Sequence, residues 1–205
     1  MMKSTLLNAS EIRAHSRTFA VSLFLFAALP TFAVVKPADQ FSADQVMTMQ
    51  GQQMTGRIYV DSGNMRTEMQ MQGMPQPAVS IVNGERKVLW VIMPGNMYME
   101  KALSQDEDVS RSAWTNPDVL EHKGAETIDG TPCEKFQIKS DQELYLFLTA
   151  KDGLPVRMIS GDGRLRIDWK NAKKGPQPPA LFQLPAGLRK FALPTLPGGL
   201  KLPGM

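Results

Sequence analysis

From Phe41 onward, apolar residues recur at every second position in short stretches separated by turn-forming residues. Phe41, Ala43, Met47 and Met49 alternate with Asp44, Thr48 and Gln50. Ile58 and Val60 alternate with Arg57 and Tyr59, and Met65, Thr67, Met69 and Met71 with Arg66, Glu68, Gln70 and Gln72. Met97 and Met99, Phe136 and Ile138, and Leu165, Ile167 and Trp169 continue the pattern. A period of two places each set on one face of a β-strand and excludes the helical stripe, which repeats every 3.6 residues. The punctuation agrees. Asp61-Ser62-Gly63-Asn64, Asn83-Gly84, Pro94-Gly95-Asn96, Asp129-Gly130, Lys151-Asp152-Gly153 and Gly161-Asp162-Gly163 suit tight turns between antiparallel neighbours. The chain is therefore expected to be mainly β, an antiparallel meander. Arg57, Arg66, Arg164 and Arg166 should face solvent, and Ile58, Met69, Leu165 and Ile167 should be buried.

Val88–Met93 and Leu144–Leu148 are apolar at consecutive positions and need cover on both faces. Residues 102–122 are expected to supply some of it as one or two short helices. Ser104 and Glu107 have capping-box spacing, Asn116-Pro117-Asp118 suits a helix start, and Val109, Trp114, Val119 and Leu120 would face the sheet. Lys170 to Pro179 reads as a loop, Leu181 to Gly187 as a short apolar hook, and residues 191–205 as a Pro/Gly-rich mobile tail.

The first 33 residues have the layout of a secretory signal. Lys3, Arg13 and Arg17 precede an apolar run from Phe19 to Ala28, and Thr31-Phe32-Ala33 suits cleavage after Ala33. The run falls short of the roughly 20 residues that span a bilayer, and no second stretch approaches that length. Expected are a cleaved signal at 1–33, one periplasmic domain at 34–190 and no transmembrane segment in the mature chain. Much of the formal net charge of +3 lies in the signal, so the mature chain is close to neutral and offers no basic patch for nucleic acid.

Catalytic signatures are missing. The mature chain has one histidine, His122, and one cysteine, Cys133, which reads as a small buried strand residue. No G-x-S-x-G or H-E-x-x-H motif occurs. Asp106-Glu107-Asp108 lacks the alternating ligands and glycine of a calcium loop. The sequence reads as a non-enzyme that needs no cofactor.

The methionines carry the functional question. Met47/Met49, Met69/Met71 and Met97/Met99 form M-x-M pairs. Thioethers select Cu(I), so Met47, Met49, Met69 and Met71 are one candidate metal set. Methionine is also a flexible core filler and an adaptable lining for apolar ligands. On a strand, M-x-M follows from alternation alone. All three readings stay open at this level.

Four stretches, GRIYVDSGNMRTEM (56–69), SIVNGERKVLWVIMPGNMYME (80–100), GAETIDGTPCEKFQI (124–138) and LFQLPAG (181–187), occur in an order that resembles an uncharacterised DUF4412-type exported family. They resemble more broadly the LolA-like superfamily of periplasmic lipid and lipoprotein carriers. The resemblance implies that the meander is curved, an incompletely closed half-barrel of about eleven strands, a number that the turns also allow. It implies a role in holding an acyl chain of a lipid or lipoprotein. Met47, Met49, Ile58, Met69, Met71, Trp90 and Trp169 are the expected apolar lining. A ligand-free structural or interaction domain is the remaining alternative.

Overall fold

The structure, a computed structural model, describes residues 34–71, 73–103, 113–114 and 117–191. The expected signal, the Ser104–Glu107 capping box, Val109 and residues 192–205 lie outside the described residues.

Twelve strands form one sheet. They are β1 (Gln40–Met49), β2 (Gln52–Asp61), β3 (Asn64–Gln70), β4 (Ala78–Asn83), β5 (Val88–Met93), β6 (Met97–Ala102), β7 (Leu120–Ile128), β8 (Thr131–Ile138), β9 (Leu144–Thr149), β10 (Pro155–Ser160), β11 (Leu165–Lys174) and β12 (Arg189–Lys190). The order is β12-β6-β5-β4-β3-β2-β1-β11-β10-β9-β8-β7, antiparallel except for the two-residue β12, which lies parallel to β6. Two meanders, β1–β6 and β7–β11, are thus joined by the pairing of β1 with β11. The order ends at β12 on one side and β7 on the other, so the sheet is not closed. The expected count of about eleven differs only by the short β12.

The sheet is strongly curved. One cavity of about 350 Å³ is lined by Ser80 of β4 and by Ile138 of β8. Seven strand spacings separate these residues, roughly 34 Å in a flat sheet at about 4.8 Å per strand. So small a cavity touches both only because the sheet wraps around it.

The concave side carries the main core. Phe41, Ala43, Ile58, Val60, Phe136, Ile138, Leu146, Leu148, Ile167 and Trp169 are buried there. All fall at the positions that alternation assigns to one face. β6 and β7 lie near opposite ends of the sheet order, so the chain between them has to pass from one side to the other. Ala113 and Trp114, from that connection, are buried in the same core. Trp114 makes edge contacts with Phe41 at 5.2 Å and Trp169 at 5.9 Å between ring centroids. Of the helices expected over 102–122, the described part shows a single 3₁₀ turn, Pro117–Val119. Leu120 already opens β7.

Two further cores lie on the convex side. In one, Ile81 and Trp90 are covered by Phe182 from a 3₁₀ turn at Pro179–Phe182, with Leu181 and Leu184 beside it. Among the described residues, the outer cover of β5 therefore comes from the C-terminal strap, residues 175–191. In the other, Ile128, Cys133 and Phe147 pack together and supply the outer cover of β9.

Two expectations are corrected here. Lys170 to Lys174 continue β11 instead of forming a loop, because Phe41 and Ser42 of β1 pair with Lys174 and Lys173. A left-handed Asn171 (φ 51°) absorbs the register shift. Arg66 is not solvent-facing. Its guanidinium lies under the strap, donating to Glu68 Oε1 at 2.7 Å and to the Leu181 carbonyl at 3.2 Å.

Candidate concave cavity

The cavity on the concave face is the candidate site. Met47, Ile58 and Met65 line it from β1–β3, and Leu146, Met158, Leu165 and Ile167 from β9–β11. Trp114, Ala113 and Trp169 form the part nearest the crossing segment. Its volume of about 350 Å³ falls within the range of small-molecule sites, about 300–1,000 Å³. Among the described residues its polar groups are Gln45, Thr67, Ser80 and Gln142, and no charged side chain lines it. An anion or cation entering would lose its hydration without gaining a partner, whereas an apolar chain would gain by burial.

Gln45 and Trp169 stand opposite each other on β1 and β11. Gln45 is only 3% exposed, and its Nε2 lies 2.6 Å from Met69 Sδ. Gly56 sits between Gln45 and Met69 in the strand order and makes this approach possible. A Cβ there would meet Met69 Sδ at 2.6 Å and the Glu68 carbonyl at 1.9 Å. Trp169 is 7% exposed, and among the described residues its Nε1 is the buried side-chain polar atom without a hydrogen-bond partner.

The cavity is continuous in lining with two neighbours. A hollow of about 340 Å³ at the turn end of β2–β5 involves Ser62, Asn64, Glu85 and Lys87 and shares Met65 and Trp114 with it. Trp114 is thus a partition with one side in each. At the opposite end, a rim hollow of about 460 Å³ beside Met49, Glu143 and Arg164 shares Gln142 and Leu165. The methionines cluster at this rim: Met47 pairs with Met54, Met49 pairs with Leu165, and β3 ends just before Met71.

The expected lining is brought together only in part. Met47, Ile58 and Trp169 line the cavity. Met69 shares the face through its contact with Gln45. Met49 and Met71 are 49% and 37% exposed, at the rim. Trp90 is corrected: it belongs to the convex core, donating its indole N–H to Glu100 Oε2 at 2.9 Å. Sequence reasoning set Trp114 against the sheet, where it lies, but not in the lining, and did not pick out Gln45, Leu146 or Met158. Leu146 was legible only as half of a strand apolar on both faces, and Trp114 lies in no periodic segment.

Among the described residues, Cys133 and His122 are not brought together. Cys133 and Phe136 occupy opposite faces of β8, and His122 pairs with Phe136, so thiol and imidazole are on different sides of the sheet. Burial pushes the Cys133 thiol above its usual pKa, which suppresses the nucleophilic thiolate. His122 Nε2 is 2.5 Å from Glu134 Oε2 at the exposed end. Among the described residues no group of three or more His, Cys, Asp or Glu gathers to hold a metal.

Three solved structures are similar to this chain, the first of them at the level of the fold. An uncharacterised conserved protein from Thermus thermophilus superimposes with a TM-score of 0.54 at 13% identity, over 75% of this chain and 90% of that one. In the structure of the Pseudomonas aeruginosa MucA/MucB complex, the similarity has a TM-score of 0.42 at 16% identity, over 72% of this chain and 56% of that one. A putative outer membrane lipoprotein-sorting protein domain from Vibrio parahaemolyticus gives a TM-score of 0.36 at 8% identity, over 65% and 84%. No curated protein matches the sequence. One family model, however, matches residues 44–152, from β1 to the turn after β9, a span that holds three of the four stretches that carry the resemblance. The chain belongs to that family, described as Domain of unknown function (DUF4412).

Proposed function

We propose that this protein is an exported, non-enzymatic binding module that holds a single apolar chain, such as the acyl chain of a lipid, in its concave cavity. The observation that carries this reading is a cavity of about 350 Å³, with no charged lining residue among those described, left open inside an otherwise well-packed core. Each buried methylene contributes about 0.8 kcal/mol, so six contribute roughly 5 kcal/mol before the costs of association. Flexible methionines at the rim accommodate chains of different shape. Export follows from the signal layout of residues 1–33. N-terminal sequencing of the secreted protein should start at Val34.

The test is a fluorescence titration of the mature protein with acyl ligands of increasing chain length. Trp114 and Trp169 border the cavity, so their emission should change and the change should saturate. Met47→Asp places a charge at the half-exposed end of the lining and should weaken binding while the fold survives. A wild-type protein that binds no acyl ligand defeats the proposal.

A further inference from the structure

The cavity is not complementary to hydrocarbon alone. Trp169 Nε1 is a buried donor with nothing to donate to, on a residue that lines the cavity. Directly across the β1–β11 pairing, the Gln45 amide meets only the Met69 sulfur, and a thioether is a weak acceptor. Leaving such donors buried without a good acceptor is costly, and folding alone gains nothing from it. A ligand oxygen would satisfy them. Among the described residues no lysine, arginine or histidine lines the cavity, so a carboxylate would meet no counter-charge from them. The matching group is a neutral carbonyl.

We infer that the ligand is a single-chain acyl ester of a lipid, whose carbonyl oxygen accepts the indole N–H of Trp169 while its tail fills the charge-free cavity. This rests on the acyl-chain reading above and specifies its chemistry. The position fits an amphiphile. Trp169 contacts Trp114, the partition beyond which lie Ser62, Asn64, Glu85 and Lys87, so the carbonyl sits where apolar lining gives way to polar. A cavity of this size takes one chain, not the two or three of a lipopeptide.

The experiment compares a fatty acid methyl ester, the free acid at neutral pH, the alkane of the same carbon number, a monoacylglycerol and a synthetic diacyl lipopeptide. Their affinities are measured on wild type and on Trp169→Phe. The two ester lipids should bind wild type about three- to tenfold tighter than the alkane, the worth of one hydrogen bond, and the acid should bind more weakly than the ester. Trp169→Phe keeps an aromatic ring and removes the donor, so it should erase the ester's advantage and leave the alkane unchanged. In wild type, the ¹H–¹⁵N indole resonance of Trp169 should shift downfield with the ester and not with the alkane. That measurement stands even if the variant folds poorly. Equal affinity for alkane, acid and ester, or an indole resonance that the ester leaves in place, overturns the carbonyl assignment while leaving the acyl-chain reading intact. Tighter binding of the lipopeptide than of the monoacylglycerol overturns the choice of lipid. If no acyl compound binds, both readings fall.

Discussion

Phe182→Ala tests whether the C-terminal strap is part of the fold or merely lies on it. The ring is 4% exposed and fills the space over Ile81 and Trp90, which are 0% and 3% exposed. Truncating such a side chain costs about 3–5 kcal/mol, through lost burial and the cavity it leaves. For a domain of this size each kcal/mol moves Tm by about 2–4 °C, so a loss of roughly 6–20 °C is expected. The full cost appears only if strap and sheet unfold together. Four hydrogen bonds argue that they do. Gln177 N–H donates to Asp61 Oδ2 at 2.7 Å, Arg66 donates to the Leu181 carbonyl at 3.2 Å, Arg189 N–H donates to the Asn96 carbonyl at 2.9 Å, and Phe191 N–H donates to the Tyr98 carbonyl at 2.7 Å. The assay is thermal and urea unfolding of a Trp114→Phe/Trp169→Phe background, in which Trp90 is the remaining tryptophan. An unchanged Tm with a red-shifted Trp90 emission would show that the strap opens on its own. A loss below about 1 kcal/mol with unchanged emission would refute the burial argument itself.

Trp114→Ala should join the two hollows that this indole separates, moving the best-bound chain length upward in a titration series, at a stability cost of about 3–5 kcal/mol seen in a melt. Asp168 is held below the ordinary carboxylate pKa: burial pushes the other way, but hydrogen bonds from Arg166 and Arg157 prevail. Asp61 is lowered mainly by the backbone N–H of Gln177 and then by Gln40. Both carboxylates therefore contribute stability that is present above their unfolded pKa near 4 and lost as pH falls through the lower folded values. Tm should drop below about pH 4, and Asp168→Asn should cost about 1.5–3 kcal/mol at neutral pH and flatten that acid limb. Met69→Leu/Met71→Leu removes two of the four candidate thioethers and keeps their volume. With Met49 and Met71 exposed at the rim, neither protein should take up stoichiometric Cu(I). Uptake by wild type that the variant loses would restore the metal reading.

The strands were legible because alternation is a local property. The parity read for β1, β3, β8 and β11 is the parity observed, since one slip would send every side chain to the wrong face. Trp90 escaped because Val88–Met93 is apolar at every position and parity within it is silent. The signal lay one turn away. Pro94-Gly95-Asn96 sets Met93 opposite Met97, which sets Trp90 opposite Glu100 and therefore away from Met97 and Met99. Arg66 escaped for a different reason. An arginine on a polar strand face is ordinarily exposed, and what covers it comes from 115 residues further along the chain. Lys170–Lys174 carries no apolar alternation at all, and only its partner strand makes it extended. The cavity was the least legible feature. Its key polar pair, Gln45 and Trp169, is created where β1 of one meander meets β11 of the other, a pairing that no local pattern encodes.

A sheet with its apolar residues on one face alone would gain most by collapsing on that face and filling it. This one has another arrangement. Its convex side holds two buried clusters, one closed by the strap around Phe182 and one built on Ile128, Cys133 and Phe147. The curvature is thereby held from outside, and the concave face can remain partly empty without the sheet flattening or closing. On that face Trp114, from the connection between β6 and β7, packs against Phe41 of β1 and Trp169 of β11. The methionines follow the same division. Among the described residues none is in the two convex clusters, and Met47, Met65 and Met158 pack on the concave core. A protein that needed only a solid interior would place its rigid residues inside and its flexible ones wherever packing is loose. Here the largest rigid core lies on the concave side itself, and Met47, Met65 and Met158 stand where it leaves space.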